Sequence, residues 1–396
     1  MSRSNGLRFF VLEAPRGVPC EWSLAQALAH AGRAAQTPRP MPAELPELTA
    51  ALRARGAAAV WVADPDAAPG QPGHWLDTEH ARGWVSADPA LAIETLLAGW
   101  QAGLTQGHVP VDAALLVWPE VPSLSWGDQP GPANEALPLA VSAVNEVLPL
   151  ATTPADKAPP SQAAPADTPL GLYAIVDTAP ALRRVLEAGV RTVQLRMKRP
   201  ADADAAWVAA LRTAVRDSLS AARDHGARLF VNDHWRLAAE LGAEAVHLGQ
   251  EDLLALGEDG RAELRATGLG LGVSSHAVWE LCRARGLSPS YVACGPVWPT
   301  ITKDMPWRPQ GLDNLAWWCR VAGAPVVAIG GILAPDQVRQ AAAAGASGVC
   351  VLRGLGSDPH QTVGALQQAF EQGHQEALAQ AGQPVARLHP TLDATR

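Results

Sequence analysis

From residue 172 onward the chain alternates between short apolar runs and longer stretches in which Ala and Leu recur at helical spacing. The apolar runs predict eight strands, at 172–177, 192–198, 228–233, 245–250, 269–276, 291–297, 325–331 and 348–354. Helices are predicted between them, among others at 179–187, 203–225, 235–241 and 335–344. The runs VVAIGG and GVCVLRG are apolar almost throughout, as parallel strands buried on both faces are. Eight β-α units in roughly 220 residues fit a (β/α)8 TIM barrel. An open doubly wound sheet is the rival, but no Gly-rich fingerprint follows the first strand.

Ahead of the barrel, residues 151–170 read ATTPADKAPPSQAAPADTPL, a Pro- and Ala-rich stretch without apolar periodicity. Such a composition predicts an interdomain linker. The chain then divides into a smaller α/β domain over 1–150, the linker over 151–170, the barrel over 171–380 and a tail over 381–396. A second polar stretch at 125–133 marks the end of the first domain, and the tail reads as loosely ordered.

Composition narrows the function. A net charge of -8 over 396 residues argues against a large nucleic-acid surface, which needs clustered Lys and Arg. No apolar run approaches the roughly 18 residues a membrane span requires, and Glu13 with two prolines interrupts any signal peptide. Cys20, Cys282, Cys294, Cys319 and Cys350 show no C-x-x-C spacing, and read as buried, reduced thiols of a cytoplasmic protein. Of 31 basic residues 28 are Arg, so the three lysines stand out. Lys157 falls in the linker, whereas Lys198 and Lys303 fall in motifs at strand ends.

In a barrel of this kind the active site lies at the C-terminal ends of the strands. The second strand ends Gln194-Leu195-Arg196-Met197-Lys198, and alternation points Gln194, Arg196 and Lys198 to the barrel centre. Buried cations need an anion, so a phosphate or diphosphate is one partner; an internal salt-bridge network is the other reading. Asn232-Asp233 ends the third strand, and Glu251-Asp252 follows the fourth. Asp233 and Asp252 beside two cations make a Mg²⁺ site, since Mg²⁺ takes one or two carboxylates plus phosphate oxygens. Helix N-capping is their structural alternative. After the sixth strand, Thr300, Thr302 and Lys303 suit a phosphate-gripping loop, and glycines after the seventh and eighth allow close backbone approach. His247 and His276 read as structural strand residues rather than bases.

The segments VQLRMK, VNDHWRLAAELGAEAVHLGQED, GVSSH, GPVWPTITK, PQGL, VVAIGGI and GASGVCVL together resemble, in order, the signature segments of thiamine-phosphate synthases. The resemblance spans about 171–357. It implies a Mg²⁺-dependent transferase that joins an aminopyrimidine diphosphate to a thiazole phosphate, releasing pyrophosphate. It further implies that Gln194 and Ser274 bind the pyrimidine, that Arg196, Lys198, Asn232 and Lys303 hold the diphosphate, and that Asp233 and Asp252 bind the metal. Thr300, Thr302, Gly331 and the Leu352-Arg353 backbone would receive the thiazole phosphate. Arg196, Lys198 and Lys303 would act on the leaving group. Trp298 departs from the Phe that many relatives carry, and Arg353 from the Ser that some carry.

Residues 48–88 are similar to a segment of hydroxymethylpyrimidine-phosphate kinase. The Gly-Thr-Gly-Cys turn that follows there is missing, so the first domain reads as a shortened kinase-like α/β unit without kinase activity. The alternatives for the barrel are a thiazole tautomerase, which needs neither diphosphate nor Mg²⁺, and a non-catalytic sensor of thiamine precursors. Small-molecule substrates are expected, with no nucleic acid and no membrane; the sequence leaves room for a homo-oligomer.

Overall fold

A computed structural model describes residues 7–13, 18–33, 40–64, 73–86, 91–118, 122–124, 126, 169–300, 306–379 and 388–392. Residues 151–168 of the expected linker, with Lys157, and Thr302, Lys303 and most of 125–133 lie outside the described residues.

The N-terminal region forms a six-stranded sheet of β1 (Arg8–Glu13), β2 (Cys20–Trp22), β3 (Ala57–Ala63), β4 (His74–Thr78), β5 (Arg82–Ser86) and β6 (Ser123–Leu124) in the order β2-β1-β3-β4-β5-β6. Every neighbouring pair is antiparallel. Strand alternation sends Phe9, Val11, Val60 and Val62 to one face, where Leu48 and Leu52 of the Leu45–Ala54 helix pack on them. Phe10, Leu12, Trp61 and Leu76 go to the other face. Their core continues through Trp100 and Leu115 into Leu281 and Cys282 of the barrel. That explains why AAAVWVA is apolar at every position although its sheet is antiparallel: Trp100 of the Ile93–Thr105 helix and Trp118 pack on Trp61 and cover its second face.

Strands β7 (Gly171–Val176), β8 (Thr192–Leu195), β9 (Arg228–Asn232), β10 (Ala245–Leu248), β11 (Gly270–Ser275), β12 (Tyr291–Cys294), β13 (Val326–Ala328) and β14 (Gly348–Val351) close into a parallel barrel. All eight were legible, but each ends one to three residues earlier than its apolar run. The polar residues past these ends therefore lie in turns at the barrel mouth. Tyr173, Ile175, Phe230, Tyr291 and Cys350 fill the interior. Gly272 makes room for the Tyr291 ring, since a Cβ there would lie 2.3 Å from its Cζ.

Two expectations need correction. The tail is not loose throughout: His389 N donates to Asn314 Oδ1 at 2.8 Å, Asn314 Nδ2 to His389 O at 3.0 Å and Arg308 N to Thr391 O at 2.8 Å. His108 of the N-terminal region hydrogen-bonds the backbone of Leu388. Nor are all the cysteines buried. Cys20 is exposed on β2, an edge strand of the sheet, while Cys282, Cys294 and Cys350 are buried and all five are free thiols. Among the described residues no helix is long and apolar enough to cross a membrane.

Candidate active site

The turns at the C-terminal ends of the barrel strands surround a cavity of about 260 Å³. Gln194, Arg196, Lys198, Asn232, Asp233, Asp252, Ser274, Thr300, Gly331, Leu352 and Arg353 all line it. Every expected site residue within the described part of the chain is thus brought to one place; Thr302 and Lys303 fall outside it.

Gln194, Arg196 and Lys198 share the cavity side, without Leu195 and Met197, but the two cations are not buried in the barrel. Gln194 points inward from β8 and is 2% exposed. Arg196 and Lys198 lie beyond the strand end, Arg196 half-buried and the Lys198 side chain 52% exposed. They form a rim rather than a buried charge pair, so solvent bears part of their charge and an anion can reach them directly. Lys198 Nζ is paired with Asp233 Oδ2. Asp233 has φ 63°, a left-handed backbone that few non-glycine residues adopt and that Asp tolerates better than most. Its amide donates to His247 O at 3.0 Å. Strain held at a pocket wall is a recurring sign of function.

Capping separates the two carboxylates. Asp252 Oδ2 accepts from Gly249 N at 3.2 Å, within the first turn of its own helix. Asp233 caps nothing: the next helix begins after His234, which makes no side-chain cap. Asn232 is 4% exposed, and its Nδ2 has no hydrogen-bond partner among the described residues. A buried donor facing a pocket without an acceptor is costly unless a ligand supplies one.

Beneath the rim runs a chain of hydrogen bonds. Gln194 Nε2 donates to Tyr173 Oη at 3.1 Å, the Tyr173 and Tyr291 hydroxyls are 2.8 Å apart, and Tyr291 Oη lies 2.7 Å from His247 Nδ1. His247 Nε2 then lies 2.9 Å from Ser274 Oγ. Burial pulls the His247 imidazole down to about 4 against the counter-pull of Asp233, and the Lys198 and Arg196 charges add to the fall. His247 is therefore a neutral, structural relay, as its strand position suggests. Sequence spacing offers no sign of the chain itself.

His276, expected as a strand residue, stands just past β11 on the pocket wall. Its ring stacks on Trp307 at 5.3 Å between centroids, and Nδ1 lies 3.0 Å from Glu280 Oε2. Gln310 Nε2 donates to His276 O at 2.7 Å. Glu280 and Trp307, both lining residues, carry no motif that would single them out from sequence. Gly331, also on the cavity, has φ 73°, and a Cβ there would sit 2.6 Å from Trp298 Cβ. Only a glycine lets this turn approach so closely.

The barrel has relatives among known proteins. Residues 172–355 match the thiamine monophosphate synthase family. A thiamine-phosphate synthase from Neisseria meningitidis is 42% identical over 207 residues, which are 52% of this chain and 96% of that protein. One from Escherichia coli is 49% identical over 166 residues, 41% of this chain and 74% of its own length. Among solved structures, a thiamine phosphate pyrophosphorylase from Pyrococcus furiosus aligns with a TM-score of 0.44 at 27% identity, covering 52% of this chain and 96% of that one.

Proposed function

This chain belongs to the thiamine-phosphate synthase family, and on that premise we propose that it condenses an aminopyrimidine methyl diphosphate with a hydroxyethylthiazole phosphate. The products are thiamine phosphate and pyrophosphate. The observation that supports this most is the convergence of Gln194, Arg196, Lys198, Asn232, Asp233, Asp252 and Ser274 on one cavity at the barrel mouth.

In this reading Gln194 is left with an acceptor oxygen for the pyrimidine amino group, because its Nε2 is engaged by Tyr173. Ser274, held by His247, offers its hydroxyl proton to the same ring. The unpaired Asn232 amide donates to the diphosphate, with Arg196, Lys198 and Lys303 around it. As the methylene carbon–oxygen bond breaks, its electron pair leaves with pyrophosphate. Preorganised cations gain interaction energy as that charge gathers. The thiazole nitrogen then forms the new carbon–nitrogen bond. No proton has to be taken by the protein, which is compatible with a neutral His247.

Asp233 and Asp252 fit Mg²⁺. Among the described residues there is no cluster of three His, Cys, Asp or Glu, the kind of set that would hold a metal by protein ligands alone. Two carboxylates beside a diphosphate site suit an ion that fills its shell with phosphate oxygens and water. When bound, Mg²⁺ supplies positive charge to the leaving group. Lys198 must then release Asp233 and turn to the diphosphate. Thr300, Thr302, Gly331 and the Leu352-Arg353 turn take the thiazole phosphate. A tautomerase would have no use for these cations and carboxylates, and no observation favours that reading or a sensor.

We place the reaction in the cytoplasm, where five free cysteines stay reduced. The N-terminal region we take as kinase-derived and without kinase activity. Its helix Ile93–Thr105 starts at Ala92 without a side-chain cap and carries Glu94 in the first turn, which opposes a phosphate there. Purified protein given both phosphorylated precursors, with and without Mg²⁺, tests the synthase. Absence of thiamine phosphate would refute it, and ATP-dependent formation of the pyrimidine diphosphate would refute the inactive kinase reading.

A further inference from the structure

The helix Val278–Arg285 follows the fifth barrel strand and the Ser274–His276 wall of the pocket. Its first amides have no partner within the helix, and a Ser, Thr, Asp or Asn at the preceding position normally receives one of them. Here that position is Ala277, extended at φ -138° and ψ 164° as a cap residue should be, but with a methyl side chain. The acceptor comes from the other domain. Asp112 Oδ1 accepts from Trp279 N at 3.0 Å, and the same carboxylate hydrogen-bonds the Val278 amide.

The far end of the helix is held the same way. Trp126 Nε1 donates to Arg283 O at 3.1 Å, and the Arg283 guanidinium donates to Arg82 O at 3.1 Å while lying 5.6 Å from the Trp126 ring centroid. A barrel helix ordinarily keeps one face in water, yet every residue from Val278 to Ala284 is buried.

The first turn of this helix also reaches the pocket. Glu280 Oε2 accepts from both the backbone N–H and the ring of His276. Gln250 Nε2 donates to Glu280 O at 3.0 Å and to Ser275 Oγ at 2.9 Å. Gln250, Ser274, His276 and Glu280 all line the cavity. A shift of the helix start is therefore passed to the wall that carries Ser274.

We propose that Asp112 is a positioning residue for the synthase pocket, and that the N-terminal layer acts by capping from outside the helix that fixes the Ser274–His276 wall. The kinetic part rests on the synthase reading above; the cap rests on the fold. Asp112→Ala in the full chain should raise the KM for the pyrimidine diphosphate about tenfold and leave that for the thiazole phosphate within about twofold, because Ser274 faces the former. Asp112→Asn keeps an acceptor oxygen for Trp279 and should stay within about twofold of wild type for both. Deuterium exchange over residues 277–285 reads the cap without any reaction. It should be slow in the wild type and Asp112→Asn and fast in Asp112→Ala. Unchanged KM values in Asp112→Ala, or an equal rise in both, would overturn the positioning role. If that variant fails to fold, the wild-type chain decides: Val278 and Trp279 amides that exchange as freely as an uncapped helix start would overturn the proposal. A wild-type chain that makes no thiamine phosphate but protects those amides would refute the synthase reading, and the positioning role with it, and leave the cap standing.

Discussion

His247 holds Ser274 from inside the barrel, its Nε2 2.9 Å from the serine Oγ, while its Nδ1 faces the Tyr291 hydroxyl at 2.7 Å. The Gln194 amide donates to Tyr173. With His247 protonated at Nε2, Tyr173 donates to Tyr291, Tyr291 to His247 and His247 to Ser274. In that tautomer the two ends present an acceptor at Gln194 and a donor at Ser274 to the pocket. That pair complements the amino group and ring nitrogen of an aminopyrimidine.

Replacing His247 by Gln should break this order. A buried hydroxyl left without a partner costs about 1–3 kcal/mol, and kcat/KM for the pyrimidine diphosphate should fall about tenfold or more. The effect has a pH signature. The unfolded chain takes up a proton at His247 near 6.5 and the folded chain near 4, so the stability from this neutral imidazole is whole above about 6.5 and is lost as pH falls through about 4. The Tm gap between wild type and His247→Gln should narrow over that window; a gap constant from pH 7 to 4 would refute the neutral relay.

Asp112 titrates in the opposite sense. Burial pushes its carboxyl up to about 7, with the Glu280 charge adding to the rise and the Trp279 and Val278 amides pulling against it. The unfolded value is 3.8, so the folded chain keeps a proton that the unfolded chain has released. Stability from this site is whole below about pH 4 and is lost as pH rises through about 7. Asp112→Asn lacks that slope and should gain Tm relative to wild type between pH 5 and 8. A difference that stays flat would mean that Asp112 does not titrate in this range.

Asp233→Ala and Asp252→Ala should each lower turnover by about 10²–10³ at limiting Mg²⁺, the scale of losing one preorganised electrostatic contact. Raising Mg²⁺ should recover part of the loss in Asp252→Ala, whose carboxylate also serves its own helix. Near wild-type turnover in both variants would end the metal assignment.

The lysines supply an internal comparison. Lys303→Ala should lower kcat about 10²–10³-fold, more than it raises the thiazole-phosphate KM, because charge on the leaving pyrophosphate peaks in the transition state. Lys198→Arg should be impaired as well, since a planar fork does not replace a compact ammonium against Asp233 and a diphosphate. Lys157→Ala should match wild type. Single-turnover rates equal across the three would remove both lysines from the reaction.

The barrel and most of its site were legible because both are local signals. Each strand is one apolar run, and each expected pocket residue among those described lies in such a run or within three positions of its end. Strand ends were misread because the runs continue into the turns, which is why Lys198 stands on the rim rather than inside. The relay was invisible for a different reason: Tyr173 and Tyr291 meet across 118 positions, and nothing near either marks the other. Ala277 did carry a trace, a helix start without a capping residue, but its partner lies in another domain. The wholly antiparallel order of the N-terminal sheet was likewise beyond reach, since an apolar run such as AAAVWVA shows that both faces are covered and not which way its neighbours run.

The cap from Asp112 to Trp279 spans 167 residues of chain, and a ribosome makes them in order. At about 5–20 residues per second the carboxylate emerges roughly 8–33 s before the amide that it will hold. For that interval it sits in water as an anion on a helix whose Val111, Ala114 and Leu115 side chains are apolar and buried in the folded chain. The nascent layer thus carries a charge among its apolar side chains, and docking of the barrel helix buries that carboxyl and raises its pKa.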